Sequence, residues 1–269
     1  MRLVFTSDLH GSVDLYRQLA ALVDVEGVDA VVLGGDLFPS GLHADQEGFF
    51  REHMELILAG LDRPVYAIMG NNDWRANAHL LDDSPVVEHI HWRAVDLDGW
   101  RLFGYAFVDV TPFPLKDWEK WDDGERSNPD DRLAGIVTWP ERREIVLDPA
   151  DRRDTIERDL RGIAERHGVE DTIFVFHAPP HGTPLDLASR GHIGSVAIRR
   201  FVEMHSPPLT LHGHIHEAPH RSGSWAVHLG RSLAINPGQR PPRLHAAVVD
   251  LDERTARHTL FDGTEGFGG

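Results

Sequence analysis

Short apolar runs recur along the chain, and five of them break off into turn residues and side chains of metal-ligand type. Arg2 to Thr6 has the length of a buried strand and stops at Ser7-Asp8-Leu9-His10-Gly11. Ala30 to Leu33 runs into Gly34-Gly35-Asp36, and Val65 to Met69 into Gly70-Asn71-Asn72-Asp73. Thr172 to Phe176 ends at His177-Ala178-Pro179-Pro180-His181-Gly182, and Leu209 to His212 runs into Gly213-His214-Ile215-His216.

Helical stripes separate these runs. Ser12 reads as an N-cap for Leu15, Tyr16, Leu19, Leu22 and Val23, which share one face and stop near Gly27. Further helices are predicted over Gln46 to Ala59, over Asp151 to His167, where charges alternate in sign, and over Ser195 to Met204. His53 falls on the inner face of its helix and is read as packing. Val86 to His89 and Val95 to Leu97 read as edge strands, the second joined by an Asp98-Gly99 hairpin to Trp100 to Tyr105. Trp225 to Leu229, Leu233 to Ile235, Leu244 to Leu251 and His258 to Phe261 read as an antiparallel meander closing a second sheet, with Asn236-Pro237-Gly238 as a tight turn inside it. Residues from about 109 to 148 lack periodicity and hold four prolines and three tryptophans. They are expected to form an insertion or lid on a single domain spanning 1–269, its aromatic residues anchoring it to the body.

The chemistry follows from where the runs end. In open α/β sheets the carboxyl ends of the strands share one edge, which is where ligands bind. Asp8 with His10, and His214 with His216, stand two apart just past a strand, a spacing that turns both side chains the same way in extended backbone. With Asp36, Asn71 and His177 they make seven oxygen and nitrogen donors at one rim, a costly gathering without cations. Two metal ions about 3.5 to 4 Å apart would account for it, with Asp36 as the bridging carboxylate.

Composition narrows the options. The 269 residues contain no cysteine, so there is neither a disulfide framework nor a thiolate ligand. Donors limited to histidine, carboxylate and amide favour manganese, iron, zinc, nickel or magnesium. A net charge of −16 opposes non-specific binding to nucleic acid or an anionic membrane, but it leaves a phosphorylated substrate open because bound cations dominate the local field. Neither a secretory leader nor a membrane-length apolar run is evident, and a cytoplasmic protein is expected.

Taken together, D-L-H at Asp8 to His10, G-G-D at Gly34 to Asp36, G-N-N-D at Gly70 to Asp73, H-A-P-P at His177 to Pro180 and G-H-I-H at Gly213 to His216 resemble the calcineurin-like metallophosphoesterase superfamily, in order and placement from residue 1 to about 240. H-A-P-P-H-G-T-P-L-D followed by G-H-I-G-S further resembles its small stand-alone bacterial and archaeal members. The resemblance implies an α/β (α+β) fold, a four-layer αββα sandwich with two mixed β-sheets packed face to face and helices outside. It also implies two divalent ions, manganese first among those supporting activity. Asp8, His10, Asp36 and His216 would hold one ion, and Asp36, Asn71, His177 and His214 the other.

Asn72 stands where many members carry a histidine that protonates the leaving group. That departure implies a phosphodiester preference, with Asn72 donating a hydrogen bond to a phosphoryl oxygen. His181 becomes the candidate general acid and substrate contact, His192 a second substrate contact, and His43 a further loop histidine within reach. The expected partner is a small phosphoester. A non-catalytic scaffold of the same fold, and a phosphomonoesterase or nuclease using the same site, are the alternatives.

Overall fold

The computed structural model of the chain describes residues 1–122, 133–148, 150–151 and 153–268. Its first sheet is built around four adjacent parallel strands, β1 (Arg2–Thr6), β2 (Ala30–Gly34), β3 (Val65–Ile68) and β4 (Val87–His89). Strands β1 to β3 are buried apart from Arg2 at the start of β1, as parallel strands covered on both sides require. Helix α1 (Val13–Glu26) lies between the first two strands. Ser12 accepts from the Leu15 N–H at its start, and Gly27 closes it with the left-handed φ of 59° that glycine adopts freely. The helix expected over 46–59 is present as α2 (Gln46–Phe49), a π-helical turn at Phe50–Met54, and α3 (Glu55–Ala59). His53 does not reach the inner face expected for it: it is exposed, with its ring tilted against Phe49, while Phe50 and Met54 are the residues this turn buries.

The second sheet starts from the hairpin β5 (Ala94–Leu97) and β6 (Trp100–Tyr105). A short hairpin, β7 (Ala134–Val137) with β8 (Arg143–Val146), then stands apart, and β9 (Thr172–Phe176) returns to the second sheet beside β6. Next come a small hairpin of β10 (Leu187–Ala188) and β11 (Gly191–His192), helix α6 (Val196–His205), and β12 (Leu209–His212), parallel to β9. Here α4 is Ala78–Asp82 and α5 is Ile156–His167, five residues shorter at its start than the charge pattern suggests because Thr155 caps it. Both sheets contribute to one apolar core, with Ile68 of β3 meeting the backbone of β6 at Gly104. Helices pack on the outer faces, α1 against α3 and α5 against α6.

The C-terminal strands depart from the expected meander. β13 (Ala226–Leu229) and β14 (Ser232–Ile235) complete the second sheet, where β14 runs parallel to β12. β15 (Ala247–Asp250), β16 (Thr255–His258) and β17 (Thr264–Gly266) instead cross to the first sheet, where β15 pairs antiparallel with β1. The orders are β17-β16-β15-β1-β2-β3-β4 and β13-β14-β12-β9-β6-β5. His258 ends β16, and residues 259–261 lie beyond it. Among the described residues no helix is long and apolar enough to cross a membrane.

The segment from about 109 to 148 is more ordered than its lack of periodicity suggests; residues 123–132 of it lie outside the described residues. Trp118 is buried and donates from Nε1 to the Asp73 carbonyl, and Trp121 is buried as well, whereas Trp139 is half exposed. Lys116 and Glu119 form an ion pair with no exposed side-chain surface, and both bond to Thr111. Asp122 accepts from the Ser195 hydroxyl and the Val196 and Ala197 N–H groups, which caps α6. The charged residues of this segment are therefore much of its internal framework.

Candidate metal centre

Four of the seven predicted donors sit where the backbone leaves a strand in the left-handed region: Asp8 (φ 59°), His10 (45°), Asp36 (52°) and His214 (66°). Residues other than glycine adopt this region at a cost, and such strain concentrates at functional sites. Hydrogen bonds between the strand ends hold it here. Asp8 N donates to Gly35 O and His10 N to Asp36 O, each at 2.9 Å, and His214 N donates to the Asp8 carboxylate at 3.0 Å. The last of these links the mouth of the first sheet to that of the second.

Asp36 lies at the middle of the group. Its Oδ1 is 3.4 Å from His177 Nε2, and its Oδ2 is 3.7 Å from His10 Nε2. Asn72 donates to the same two oxygens, from its backbone N–H at 2.8 Å and its side-chain amide at 2.6 Å. His177 Nδ1 donates to the Gly34 carbonyl at 2.8 Å, which turns Nε2 toward Asp36 and to within 3.2 Å of Asn71 Oδ1. An imidazole held this way through one nitrogen presents the other to a metal. His10 is held likewise, with Nδ1 2.8 Å from Ser40 Oγ. The rings of His177 and His214 lie 5.2 Å apart and those of His10 and His216 5.9 Å apart. Asp8, His10 and Asp36 bring ligand atoms within 4.8 Å of one another.

Glycine makes this proximity sterically feasible at two places. A Cβ at Gly70 would lie 2.3 Å from Asp36 Oδ1, and one at Gly213 would lie 2.0 Å from Ser7 Oγ and 2.7 Å from Asp8 Oδ2. A further carboxylate braces the loops that leave β2 and β3. Asp73, fully buried, accepts from Gly70 N, Leu37 N and Phe38 N at 2.9 to 3.1 Å and so ties the two loops together.

The electrostatics fit a cation site. Burial pushes the Asp8 carboxyl up despite the opposing pull of His177. Burial also acts on Asp36, but the charge and hydrogen bond of His177, the charge of His10 and the Asn72 N–H outweigh it and hold Asp36 far below the usual carboxylate range. His177 rises to about 9, the pull of Asp36 and Asp8 overcoming its burial. Burial and the neighbouring His177 take His214 down to about 3. Burial, then the Asp36 charge, raises Asp73 to about 7 against its three N–H donors. No lysine or arginine among the described residues pairs with Asp8 or Asp36. Two buried carboxylates served only by imidazoles and N–H groups are the environment that a bound divalent ion stabilises. The donor set, all oxygen and nitrogen, suits such an ion.

A cleft of about 510 Å³ opens over this group, bordered by His10, Asp36, Asn71, Asn72, His214 and His216. Its lining also includes Val110, Thr111, Pro112 and Phe113 of the insertion, and Arg190 and His192 of the β10–β11 hairpin. Of the other histidines singled out in the sequence, His192 borders the cleft. His181 is not among the lining residues, its Nδ1 lying 3.4 Å from Asp186 Oδ2, and neither is the exposed His43. The pattern of strand ends did not flag Asp186, Asn236 or the Asp109 to Phe113 wall. Asn236 donates from Nδ2 to the carbonyls of Leu185, Gly213 and Ile215 at 2.9 to 3.3 Å. The Asn236-Pro237-Gly238 turn was the only signal for it; Asp186 and the wall act through contacts that no local pattern carries.

Comparison with known proteins agrees with this fold. TT1561 of Thermus thermophilus has 19% identity and a TM-score of 0.58, with 96% of this chain and 97% of that one covered. A dimetal phosphatase from Danio rerio has 14% identity and a TM-score of 0.57, with 99% of each chain covered. GAP50, the anchor in the inner membrane complex of Plasmodium, has 12% identity and a TM-score of 0.53 over 99% of this chain and 88% of its own. These likenesses establish the fold, and fold alone does not establish chemistry. No curated protein matches the chain in sequence. The calcineurin-like phosphoesterase family model matches residues 1–218, and the chain belongs to that family.

Proposed function

We propose that this protein is a dinuclear metal-dependent phosphoesterase that prefers small phosphodiesters, acting as one domain whose 109–148 segment contributes Asp109 to Phe113 to the active-site cleft. The observation that carries the reading is the position of Asp36, which turns one carboxylate oxygen toward His177 and the other toward His10. Asp8, His10, Asp36 and His216 would hold one ion, and Asp36, Asn71, His177 and His214 the second. When bound, two divalent ions, manganese foremost, would polarise the phosphoryl oxygens and lower the pKa of the attacking water.

The chain's own residues do the positioning. Gly34 O and Ser40 Oγ fix the ring orientations of His177 and His10, so Nε2 of each faces the carboxylate between them. Asn72 holds both oxygens of Asp36, and its amide has no proton to give to a leaving group. The cleft lining includes Phe113, Pro112 and Val110, apolar surface that suits the organic substituents of a diester. No serine or cysteine nucleophile is required, so no phosphoenzyme is expected. Profiling the protein against mono- and diesters with manganese, iron, zinc or nickel tests the reading. Turnover of diesters above monoesters supports it, and a chain inert toward every ester with every metal excludes it.

A further inference from the structure

Two histidines and a buried carboxylate form a second polar cluster beside the metal centre. Asp186 has no exposed surface and accepts from the N–H groups of Gly182, Thr183 and Gly194 at 2.9 to 3.0 Å. Its Oδ1 is 2.7 Å from His192 Nδ1, and its Oδ2 is 3.4 Å from His181 Nδ1. Three backbone donors fix the carboxylate, and the carboxylate fixes the rings. Only His192 borders the cleft over the metal centre; its side chain is 43% exposed.

The hairpin that carries His192 is tied to the metal ligands. Ala188 of β10, with Ile193 packed alongside, buries Ile215, the residue between His214 and His216. Asn236 bonds to the carbonyls of both Leu185 and Ile215, bridging the Asp186 turn to the ligand loop. His192 therefore has a defined place relative to His214 and His216.

We infer that His192 is the residue that protonates the departing oxygen of the substrate, with Asp186 as its positioning residue; this rests on the hydrolytic reading above. With Nδ1 turned to Asp186, a substrate would meet the ring at Nε2. Imidazole is the side chain suited to giving a proton near neutrality. Asn72 cannot supply one, and its amide is engaged by Asp36. As the bond from phosphorus to the leaving oxygen breaks, that oxygen takes the Nε2 proton and departs as an alcohol. The attacking water supplies the new P–O bond and releases a proton, and solvent returns one to the ring. The net change is one water consumed, with no other reactant.

The test compares the manganese-loaded protein with His192→Gln and His181→Gln on a series of aryl methyl phosphates running from 4-nitrophenyl to unsubstituted phenyl. His192→Gln is expected to lose about 100-fold or more in kcat on the phenyl ester, and far less on the nitrophenyl ester, whose phenolate leaves unaided. His181→Gln should lose equally on both. Equal losses for His192→Gln across the series, or a leaving-group dependence that appears in His181→Gln instead, overturns the assignment. Wild-type protein inert on every ester removes the hydrolytic reading itself, a distinct result. Independently of turnover, nitrogen NMR of the metal-free protein should show His192 protonated at Nδ1 and should lose that preference in Asp186→Asn. A His192 without it ends the positioning role of Asp186. Should Asp186→Asn fail to fold, the wild-type spectrum and the half-exposed His192→Gln variant still decide the matter.

Discussion

Asn72 grips Asp36 at both oxygens, with its backbone N–H on one and its side-chain amide on the other. Asn72 thus orients the carboxylate that stands between His177 and His10, the residue at the middle of the proposed metal centre. Partners of this kind contribute about 10- to 100-fold to metal affinity. Asn72→Ala is expected to weaken manganese binding by about that factor, read by calorimetric titration, while the fold stays intact. An unchanged affinity would contradict the role.

Gly70 allows the close approach on which the centre depends. A methyl group there would overlap Asp36 Oδ1 and also lie 2.6 Å from His177 Nε2, with fixed backbone behind it. Gly70→Ala should therefore lower the melting temperature and reduce bound metal together. A Gly27→Ala control meets nothing within 4 Å, so only the strain of its left-handed φ should register, with metal binding untouched.

The strand ends were readable because strand, turn residue and ligand-type residue follow one another locally, as at Leu33 to Asp36 and Met69 to Asn71. The C-terminal strands were not. Ala247–Asp250 pairs with Arg2–Thr6, a partner nearly the whole chain away, and alternation within β15 carries no record of it. The order of the insertion is hidden for a related reason. It comes from buried polar pairs such as Asp117 with Thr138 and Asp122 with the start of α6, which a hydrophobic pattern does not encode. Asp186 is not legible in the sequence because its partners are backbone N–H groups and rings that only the fold brings to it.

The buried Lys116–Glu119 pair sets the Thr111 to Phe113 wall of the cleft. Burial raises Glu119 to about 7, against the opposing charge of Lys116 and the Thr111 donors. Breaking a buried pair on one side leaves a charge without compensation, so Lys116→Met should cost about 3–5 kcal/mol in urea denaturation. The double variant Lys116→Met with Glu119→Leu should recover part of that loss. A double variant as unstable as the sum of the two singles would show that the two side chains are not coupled.

Acid should destabilise the C-terminal layer. His258 accepts from the Leu260 and Phe261 N–H groups at Nδ1 and donates from Nε2 to the Pro237 carbonyl, which commits it to the neutral form. Burial takes His258 to about 4, and burial with the nearby His258 takes His245 to about 4. Both lie below the unfolded value of about 6.5, so the unfolded chain binds more protons in that interval. Their contribution is complete above pH about 6.5 and falls away as the pH drops toward about 4. Asp73 and Glu119, both raised to about 7, act in the opposite sense over the same interval, so the comparison is between variants: from pH 7 to pH 5 the urea midpoint of the metal-free wild type should shift further toward instability than that of His258→Leu, though the variant is less stable throughout.

Metal stoichiometry decides whether the chain holds a pair of ions. Protein loaded with manganese and then freed of excess metal should retain two ions per chain by elemental analysis. Asp36→Asn, which lacks the carboxylate proposed to hold both ions, should retain fewer than one. A wild-type chain that keeps no metal, or an Asp36→Asn variant that keeps both ions, would contradict the account.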